Sequence, residues 1–480
     1  MSTSEYKRRC SSVCHVGQTA IGGDNPIRIQ SMTTTDTNDT EGSVAQAKRI
    51  IDAGGELVRL TTQGTREAEN MRNISARLKH DGYTQPLVAD VHFNARVADV
   101  AAQFCEKVRI NPGNYVDPAR TFKKLEYTDE EYQAELKRIE ERLLPFLQIC
   151  REHKTAVRIG VNHGSLSDRI MSRYGDTPAG IVESCMEFLR IFKKHDFNDV
   201  VISIKASNTV VMVTSVRLLV QAMDREDMHY PLHLGVTEAG EGEDGRIKSA
   251  VGIGALLTEG IGDTIRVSLS EDPECEIPVA RKIVDSIEEC ARLRAEAEAS
   301  IKDDTITLTL DEPDWETSQL KAAMAAGALL IDRKATKLVI KRSSELSENS
   351  EHSELSEPSE PSSELSALSD SILQAARIKF TKTEYISCPG CGRTLYNLQD
   401  TIRRIKAATS HLVGLKIGIM GCIVNGPGEM ADADYGYVGA GRGKISLYRQ
   451  KECIEKNIPE EEAVDRLLAF IEEDMKQQKK

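Results

Sequence analysis

The chain has 480 residues, which is too long for one ordinary domain and predicts either several domains or one large barrel with additions. Hydrophobic residues make up 40% of it, enough for a sizeable core, and this excludes wholesale disorder. Lysine and arginine number 62 against 75 aspartate and glutamate residues. The resulting net charge of −13 argues against nucleic-acid binding driven by bulk charge.

Membrane insertion and secretion are not expected either. No apolar run approaches the ~18 residues that a membrane helix needs, and the first ten residues, MSTSEYKRRC, lack the apolar stretch of a signal peptide. The 11 cysteines are odd in number and scattered, which disfavours a disulfide framework. We therefore expect a cytoplasmic protein without membrane or nucleic-acid partners, in which clustered cysteines bind metal.

Eight short, β-branched segments recur through the first 270 residues, with helical patterns between them. They begin near Ile27, Leu57, Pro86, Val108, Ala156, Val200, Leu232 and Thr264. Strands that alternate with helices predict a parallel sheet, and eight such units in about 250 residues fit a closed (β/α)₈ barrel. An open doubly wound sheet usually shows a glycine fingerprint after its first strand, and IRIQSMTTT has none. We predict an α/β chain with an N-terminal TIM-type barrel over residues 1–300.

Polar side chains stand at the ends of nearly all these predicted strands. They are Arg59, Asp90, Arg109, Asn111, Arg158, Asn162, Lys205, Glu238, Arg266 and Ser268. The active sites of (β/α)₈ barrels are built at the C-terminal ends of the strands. Any one of these residues could form an ordinary salt bridge at the rim. Four arginines and a lysine on one face of an acidic protein instead indicate a site for a multiply charged anion, usually phosphate.

The sequence after the barrel changes character. Residues 301–375 read as a reduced insert, with two short strands and one helix, followed by a serine- and glutamate-rich tract. That tract, residues 343–370, contains 11 Ser, 7 Glu and 1 Asp and no Lys or Arg, which predicts a disordered, flexible linker. From 376 to 480 we predict a compact α+β domain with glycine-rich loops ahead of a terminal helix.

Two cysteine motifs mark this last domain. Cys388 and Cys391 form a C-x-x-C pair, and Cys422 begins a glycine- and proline-rich loop that ends at Glu429. A zinc ribbon normally needs a second C-x-x-C pair, and a thioredoxin-type redox pair would leave Cys422 unexplained. Three thiolates with a weaker fourth ligand suit an iron–sulfur cluster that binds substrate. Glu429 is the natural fourth ligand, and Cys453 is its rival.

An anion-binding barrel joined to such a cysteine domain resembles one family closely. This family is 4-hydroxy-3-methylbut-2-enyl diphosphate synthase, of the non-mevalonate isoprenoid pathway. The resemblance covers roughly three quarters of the chain. It is carried by VGQTAIGGDNPIRIQSMTTTDTND, ELVRLTTQG, LVADVHFN, KVRINPGN, VRIGVNHGSLSDR, SIKASN, HLGVTEAG, IRVSLSEDP, SCPGCGRT and GCIVNGPGEMADADYGYVG.

The resemblance implies an iron–sulfur reductase. Its reaction converts 2-C-methyl-D-erythritol 2,4-cyclodiphosphate to 4-hydroxy-3-methylbut-2-enyl diphosphate, with electrons from ferredoxin or flavodoxin passing through a [4Fe-4S] cluster. It implies Cys388, Cys391, Cys422 and Glu429 as cluster ligands and the strand-end residues as the diphosphate site, with Asn425 on the cluster loop. We hypothesise that Glu238 donates or relays a proton.

The chain departs from the family in the length of its middle segment. Members have two domains, or a further domain between the barrel and the cluster domain, and residues 301–375 are far too short for that domain. A homodimer, in which each cluster domain covers the partner's barrel, and a cluster domain that covers its own barrel are both compatible with a flexible linker.

Two other functions compete with this interpretation. A dihydropteroate-synthase-like transferase with a structural metal domain predicts a colourless protein without redox activity, and the cysteine loops argue against it. An iron–sulfur carrier or redox sensor, with the barrel as a ligand-sensing module, predicts no consumption of substrate. The arginines at the strand ends argue against this second alternative.

Overall fold

The protein is described here from a computed structural model, which covers residues 6–116, 126–342, 363–394, 396–423, 426–430 and 432–478. The strands are β1 (Cys14–Val16), β2 (Thr19–Ile21), β3 (Arg28–Met32), β4 (Leu57–Thr62), β5 (Leu87–Val91), β6 (Lys107–Ile110), β7 (Ala156–Asn162), β8 (Val200–Lys205), β9 (His233–Leu234), β10 (Thr264–Ile265), β11 (Thr305–Leu310), β12 (Lys337–Arg342), β13 (Glu384–Ser387), β14 (Lys416–Met420), β15 (Tyr435–Gly441), β16 (Lys444–Arg449) and β17 (Glu452–Pro459).

The helices are α1 (Thr40–Asp52), α2 (Thr65–His80), α3 (Ala95–Ala101), α4 (Asp129–His153), α5 (Asp168–Tyr174), α6 (Pro178–Lys194), α7 (Thr209–Arg225), α8 (Gly242–Leu257), α9 (Glu276–Asp285), α10 (Ile287–Ala299), α11 (Trp315–Ile331), α12 (Ser363–Ala375), α13 (Leu398–Thr409), α14 (Gly426–Glu429) and α15 (Glu460–Gln478). Short 3₁₀ helices lie at Pro112–Asn114, His163–Ser165 and Pro273–Cys275. Within the described ranges, no helix combines the length and the apolar character that crossing a membrane requires.

The predicted barrel is confirmed. Strands β3 to β10 form a parallel sheet in the order β8-β7-β6-β5-β4-β3-β10-β9, and a bridge between Ile202 and Leu232 brings its two edges together. The β1–β2 hairpin packs against the N-terminal end of this barrel, where Cys14 and Ile21 share an apolar cluster with Leu57. The carboxyl ends of the strands lie at the opposite end of the barrel, and the candidate site lies there.

The barrel is polar below that end. TIM barrels usually fill their interior with branched apolar side chains. Here Gln30, Lys107, Arg158 and His233 are buried, and Lys107 Nζ and His233 Nε2 have no hydrogen-bond partner among the described residues. Burial, together with the charge of Arg158, lowers the pKa of Lys107 to about 7. The fold therefore carries positive charge in its centre at a cost in stability.

The insert is an extension of the barrel. Strands β11 and β12 pair in parallel, and α11 packs against barrel helix α8. The contact is close because Gly254 on α8 lies against Met324, and Gly327 on α11 lies against the backbone of Val251. These elements belong to the same apolar core as the barrel.

The predicted disorder over residues 343–370 is wrong for its last eight residues. Helix α12 begins at Ser363, and its Leu365, Leu368 and Ile372 are buried in the barrel core. Their spacing of three and four residues places them on one face of a helix, which the serine- and glutamate-rich composition conceals. Residues 343–362, where the rest of that prediction falls, lie outside the described residues.

The C-terminal domain, residues 384–478, has its own sheet and core. Its strands lie in the order β13-β14-β15-β16-β17, with β13 to β15 parallel and β15 to β17 antiparallel. Buried residues of the sheet, such as Ile417 and Tyr437, pack against Ile402 and Leu467 of helices α13 and α15. Where the sequence predicted only glycine-rich loops, the chain forms the three antiparallel strands.

This domain sits on the carboxyl ends of the strands of its own barrel. Gly164 and Gly428 approach so closely that a Cβ on Gly164 would lie 2.3 Å from the Gly428 carbonyl carbon. Ser207 Oγ donates to the Glu429 carbonyl at 2.9 Å. Ala239, after β9, forms a parallel β-bridge with Ser387 at the end of β13. The barrel and the cysteine-bearing strand are thus joined through their backbones.

We expect Lys107→Met to stabilise the protein at neutral pH. Because the pKa of Lys107 is about 7 in the folded state and 10.5 ordinarily, the folded state binds fewer protons between these values. The free energy of unfolding should therefore rise with pH from about 7 to 10 in the native chain and lose this slope in the variant. The gain at pH 7 and below should be roughly 1–3 kcal/mol. Urea unfolding at pH 6, 7.5 and 9 measures it, and a variant less stable at pH 6 would contradict the argument.

We expect Gly164→Ala to push the C-terminal domain away from the barrel, because the new methyl group has no space beside Gly428. Limited proteolysis and small-angle scattering should report a looser molecule. Gly441→Ala is the matched control, since a Cβ there meets only Lys444 Cβ at 3.9 Å. Equal compactness of the two variants would show that the glycine contact is unimportant.

Candidate active site

A cavity with an empty volume of about 760 Å³ lies between the barrel mouth and the C-terminal domain. It brings together twelve of the residues that the sequence singled out. These are Arg59, Asp90, Arg109, Arg158, Asn162, Lys205, Glu238, Arg266, Ser268, Cys388, Cys391 and Cys422. The strand-end residues and the cysteine motifs therefore form one site.

Asp90, at the end of β5, anchors the cations on one side of the cavity. It is 2% exposed, and its Oδ1 lies 3.1 Å from Arg109 Nη1 while its Oδ2 lies 3.5 Å from Arg393 Nη2. Burial alone would raise the pKa of Asp90, but Arg59 and Arg109 hold it well below its usual range. Asp90 is therefore ionised and orients the guanidinium groups around it.

Arg109 is fixed by several acceptors. Its Nη2 donates to the Gly160 carbonyl at 2.9 Å and to Asn162 Oδ1 at 3.1 Å, and its Nη1 also contacts His92 Nε2. A Cβ at position 160 would lie 2.3 Å from Arg109 Nε, so glycine is required there. This preorganisation means that Arg109 needs little rearrangement to meet a ligand.

Arg266 and Arg59 are also held in place. Glu276 accepts two bonds from Arg266, at 3.0 and 2.9 Å, and this pairing raises the pKa of Arg266 against the effect of burial. Arg59 donates to Met32 Sδ at 3.0 and 2.8 Å, and its Nε lies 4.0 Å from Asp90. Burial and the neighbouring cations lower the pKa of Arg59 to about 10, so it remains charged.

Arg158 and Lys205 differ from the other cations of the cavity because no carboxylate pairs with them in the described structure. Arg158 is 1% exposed, with its Nε and Nη1 unpartnered, and Lys205 is 4% exposed. Burial and surrounding arginines lower the pKa of both groups well below the usual range. Such groups are costly unless an anion joins them. The site is therefore prepared for a negatively charged ligand.

The three cysteines lie at the carboxyl ends of β13 and β14. Gly421 N–H donates to Cys388 Sγ at 3.1 Å, the kind of bond that stabilises a metal-bound thiolate. Cys391 N–H donates to Thr394 Oγ1 at 3.2 Å, which fixes the turn of the C-x-x-C motif. Across the described ranges, no three His, Cys, Asp or Glu side chains converge as ligands of a single ion. Three thiols on one cavity wall, one of which accepts a backbone N–H bond, are the donor type that an iron–sulfur cluster takes.

Two carboxyl groups meet beside the cysteines. Glu429 Oε2 accepts from Thr237 Oγ1 at 3.0 Å, and its buried Oε1 has no hydrogen-bond partner among the described residues. Glu238 is also buried, with φ at +50°, a left-handed conformation that is strained for this residue type. Burial raises the pKa of both groups, and each lies close enough to influence the other. A free oxygen on Glu429 is what a fourth cluster ligand requires.

Among the described residues, Asn111, Cys453 and Glu429 are not on the cavity wall. Asn111 donates to Ser165 Oγ at 2.8 Å and accepts from Gly113 N–H at 3.1 Å, so it braces a loop. Cys453, the rival fourth ligand, lies on β17 away from the cavity. Asn425 lies outside the described residues.

Sequence reasoning missed Arg393, His92, Thr237 and Glu276. Arg393 and Thr237 stand inside motifs already noted, two residues after Cys391 and directly before Glu238, and His92 follows Asp90 by two residues. Attention to neighbours of the chosen residues would have found these three. Glu276 lies on helix α9, and only the three-dimensional structure brings it to Arg266.

Comparison with known proteins agrees with this architecture. Residues 11–281 match the GcpE TIM-barrel domain, and residues 384–473 match the GcpE protein C-terminal domain. The chain is 51% identical to a 4-hydroxy-3-methylbut-2-en-1-yl diphosphate synthase (flavodoxin) of Bacteroides fragilis, covering 98% of this chain and 96% of that protein. It is 44% identical to the synthase of the same name from Porphyromonas gingivalis, covering 98% of each.

The alignment with the Bacteroides protein runs over 618 residues, more than the 480 of this chain, so the relative contains residues that are absent here. The matches nevertheless include both domains that form the cavity. The chain is a member of the GcpE family, and it is a 4-hydroxy-3-methylbut-2-en-1-yl diphosphate synthase of isoprenoid biosynthesis.

Proposed function

We propose that this enzyme reduces 2-C-methyl-D-erythritol 2,4-cyclodiphosphate to 4-hydroxy-3-methylbut-2-enyl diphosphate, with electrons supplied through a [4Fe-4S] cluster. The observation that carries the proposal is that Arg158 and Lys205, two buried cations with no carboxylate partner among the described residues, lie in the same cavity as the three cysteines. A redox group and an anion site that share one cavity favour reduction of a phosphorylated substrate.

The barrel binds the diphosphate. A cyclic diphosphate carries two negative charges at neutral pH, which Arg158 and Lys205 would neutralise while Arg59 and Arg109 donate further hydrogen bonds. Asn162 and Ser268, on the cavity wall, add neutral donors. Because Asp90 and Glu276 already fix the guanidinium groups of Arg109 and Arg266, these side chains lose little conformational entropy when the ligand binds.

Cys388, Cys391, Cys422 and Glu429 would hold the cluster, which supplies single electrons and a Lewis-acidic iron when bound. The overall reaction takes up two electrons and two protons, breaks the ring C–O bond and releases one hydroxyl as water. Glu238 would donate or relay a proton, because its carboxyl is buried beside both Glu429 and the cavity. The relatives are named for flavodoxin, so flavodoxin is the favoured electron donor, with ferredoxin as the alternative.

Anaerobic purification tests the cluster. We expect a brown wild-type protein with about four iron and four sulfide per chain, as a cubane cluster requires. Cys422→Ser should lose both iron and sulfide, whereas Cys453→Ser should retain them because Cys453 is not on the cavity wall. A colourless wild-type protein with one bound zinc would overturn the proposal. Conversion of the cyclodiphosphate by the reduced enzyme would establish the proposed reaction.

Two substitutions separate the proton and anion roles. Glu238→Gln keeps the size and polarity of the side chain but removes its acid, so kcat should fall at least ~100-fold while KM stays within about threefold. Arg158→Met removes a buried cation, so KM should rise at least ~10-fold. Steady-state kinetics with a chemical reductant measure both. A Glu238→Gln variant that loses only affinity would exclude the proton role.

A further inference from the structure

We propose that Arg393 is an anion-binding residue that the C-terminal domain contributes to the cavity, and that a diphosphate bound there holds this domain against the barrel. The inference rests on the proposed function and deepens it, because it adds a binding residue for the same ligand and gives ligand binding a mechanical effect. Arg393 is neither one of the polar residues at the strand ends nor one of the proposed cluster ligands.

Arg393 brings a positive charge to the cavity from the side opposite the barrel. Five other cations stand on the described cavity wall, and all of them belong to barrel strands: Arg59, Arg109, Arg158, Lys205 and Arg266. Arg393 is the one cation that the described part of the C-terminal domain adds to this wall. An anion in the cavity therefore lies between cations of two domains only while the C-terminal domain occupies the position that the structure shows.

The turn that carries Arg393 is pressed against the barrel. A Cβ on Gly392 would lie 2.6 Å from the Thr35 carbonyl oxygen and 3.4 Å from Thr61 Cβ. The backbone of this turn thus touches the loop after β3 and strand β4. Movement of the C-terminal domain away from the barrel would carry this turn, and the Arg393 side chain with it, out of the cavity.

The guanidinium group of Arg393 is buried but incompletely paired. Arg393 is 8% exposed, and its Nη2 lies 3.5 Å from Asp90 Oδ2, whereas charge-assisted hydrogen bonds are about 2.7–2.9 Å long. Asp90 already accepts a hydrogen bond from Arg109 at 3.1 Å. The Nε and Nη1 groups of Arg393 have no hydrogen-bond partner among the described residues. Buried donors of this kind are costly until an acceptor joins them, and the oxygens of a diphosphate are such acceptors.

An anion that binds on both sides of the domain boundary couples its own binding to the position of the domain. Arg158 and Lys205 lie on the barrel side without a carboxylate partner among the described residues, and Arg393 lies on the other side. A ligand shifts a conformational equilibrium by the difference in its affinity for the two states. A diphosphate that binds all three cations would therefore oppose separation of the domains, in addition to the contacts at Gly164 and Ala239.

Calorimetric titration with inorganic pyrophosphate, on the anaerobically purified full-length protein, tests the binding role. Arg393→Met removes the charge and its donors, so the Kd for pyrophosphate should rise about tenfold or more. Arg393→Lys keeps the charge with a different donor geometry, so the Kd should rise by less. The matched control is Arg403→Met on α13, where the side chain is 71% exposed and pairs with Asp400 of the same helix, and its Kd should stay within about twofold of the native value.

Amide hydrogen exchange tests the mechanical role. Saturating pyrophosphate should slow exchange in β13 and in residues 426–430, which contact the barrel, by about tenfold in the native protein and in the control. In Arg393→Met the same ligand should slow exchange by no more than about twofold, because it then binds only the barrel side. A purely structural Arg393 would instead change the exchange rates without ligand and leave the effect of pyrophosphate intact. Iron and sulfide are measured on every variant, because Arg393 also lies close to Cys391.

A native Kd in Arg393→Met would overturn the inference, as would ligand-induced slowing that persists undiminished in that variant. If Arg393→Met fails to fold or loses iron, Arg393→Lys decides the question, and a native Kd in the lysine variant would be contrary to the inference. A native protein that does not bind pyrophosphate would remove the anion site and the proposed function with it. Binding that does not depend on Arg393 would overturn this inference alone. Neither measurement requires turnover, so both are independent of the assay with the cyclodiphosphate.

Discussion

Uncompensated positive charge inside the barrel is the constraint on which the rest of the structure depends. In the part of the chain that the structure describes, six cations line the cavity, namely Arg59, Arg109, Arg158, Lys205, Arg266 and Arg393. A buried charge is tolerated only when opposite charges and hydrogen-bond acceptors surround it. Asp90, Glu276 and the Gly160 carbonyl supply these for part of the set, and the remainder is left for the ligand. The affinity for an anion is thus built into the site as an excess of positive over negative side chains.

The amino-acid pattern was sufficient to predict the barrel and twelve of the residues that line its cavity. Strand ends of a barrel converge whatever the intervening loops do, so Arg59 and Arg266 could be assigned to one rim from sequence order alone. The same argument could not show that Asn111 lies off the cavity wall, where its amide donates to Ser165. Which side of a strand end a side chain occupies depends on loop geometry, which local sequence does not reveal.

Ion pairs and packing between different elements of the fold were harder to predict. Glu276 meets Arg266 only because helix α9 folds back beneath the rim, and nothing in its own segment distinguishes it from a surface glutamate. The first eight residues of helix α12 were missed for the opposite reason. Its composition is that of a linker, yet Leu365 and Ile372 find an apolar surface on the barrel. Whether such a segment forms a helix depends on its burial against the rest of the protein and not on its composition.

The β-bridge between Ala239 and Ser387 has a mechanical consequence. Ala239 follows Glu238, and Ser387 precedes Cys388. The bridge therefore pairs the backbone beside Glu238 with the backbone beside Cys388 across the domain boundary. Any movement that separates the C-terminal domain from the barrel must break this pairing. Glu238 then stays with the barrel while Cys388 moves away with the C-terminal domain, so the two side chains face one cavity only while the pairing is intact. In the function proposed above, this single backbone contact would couple the transfer of the proton to the transfer of the electrons.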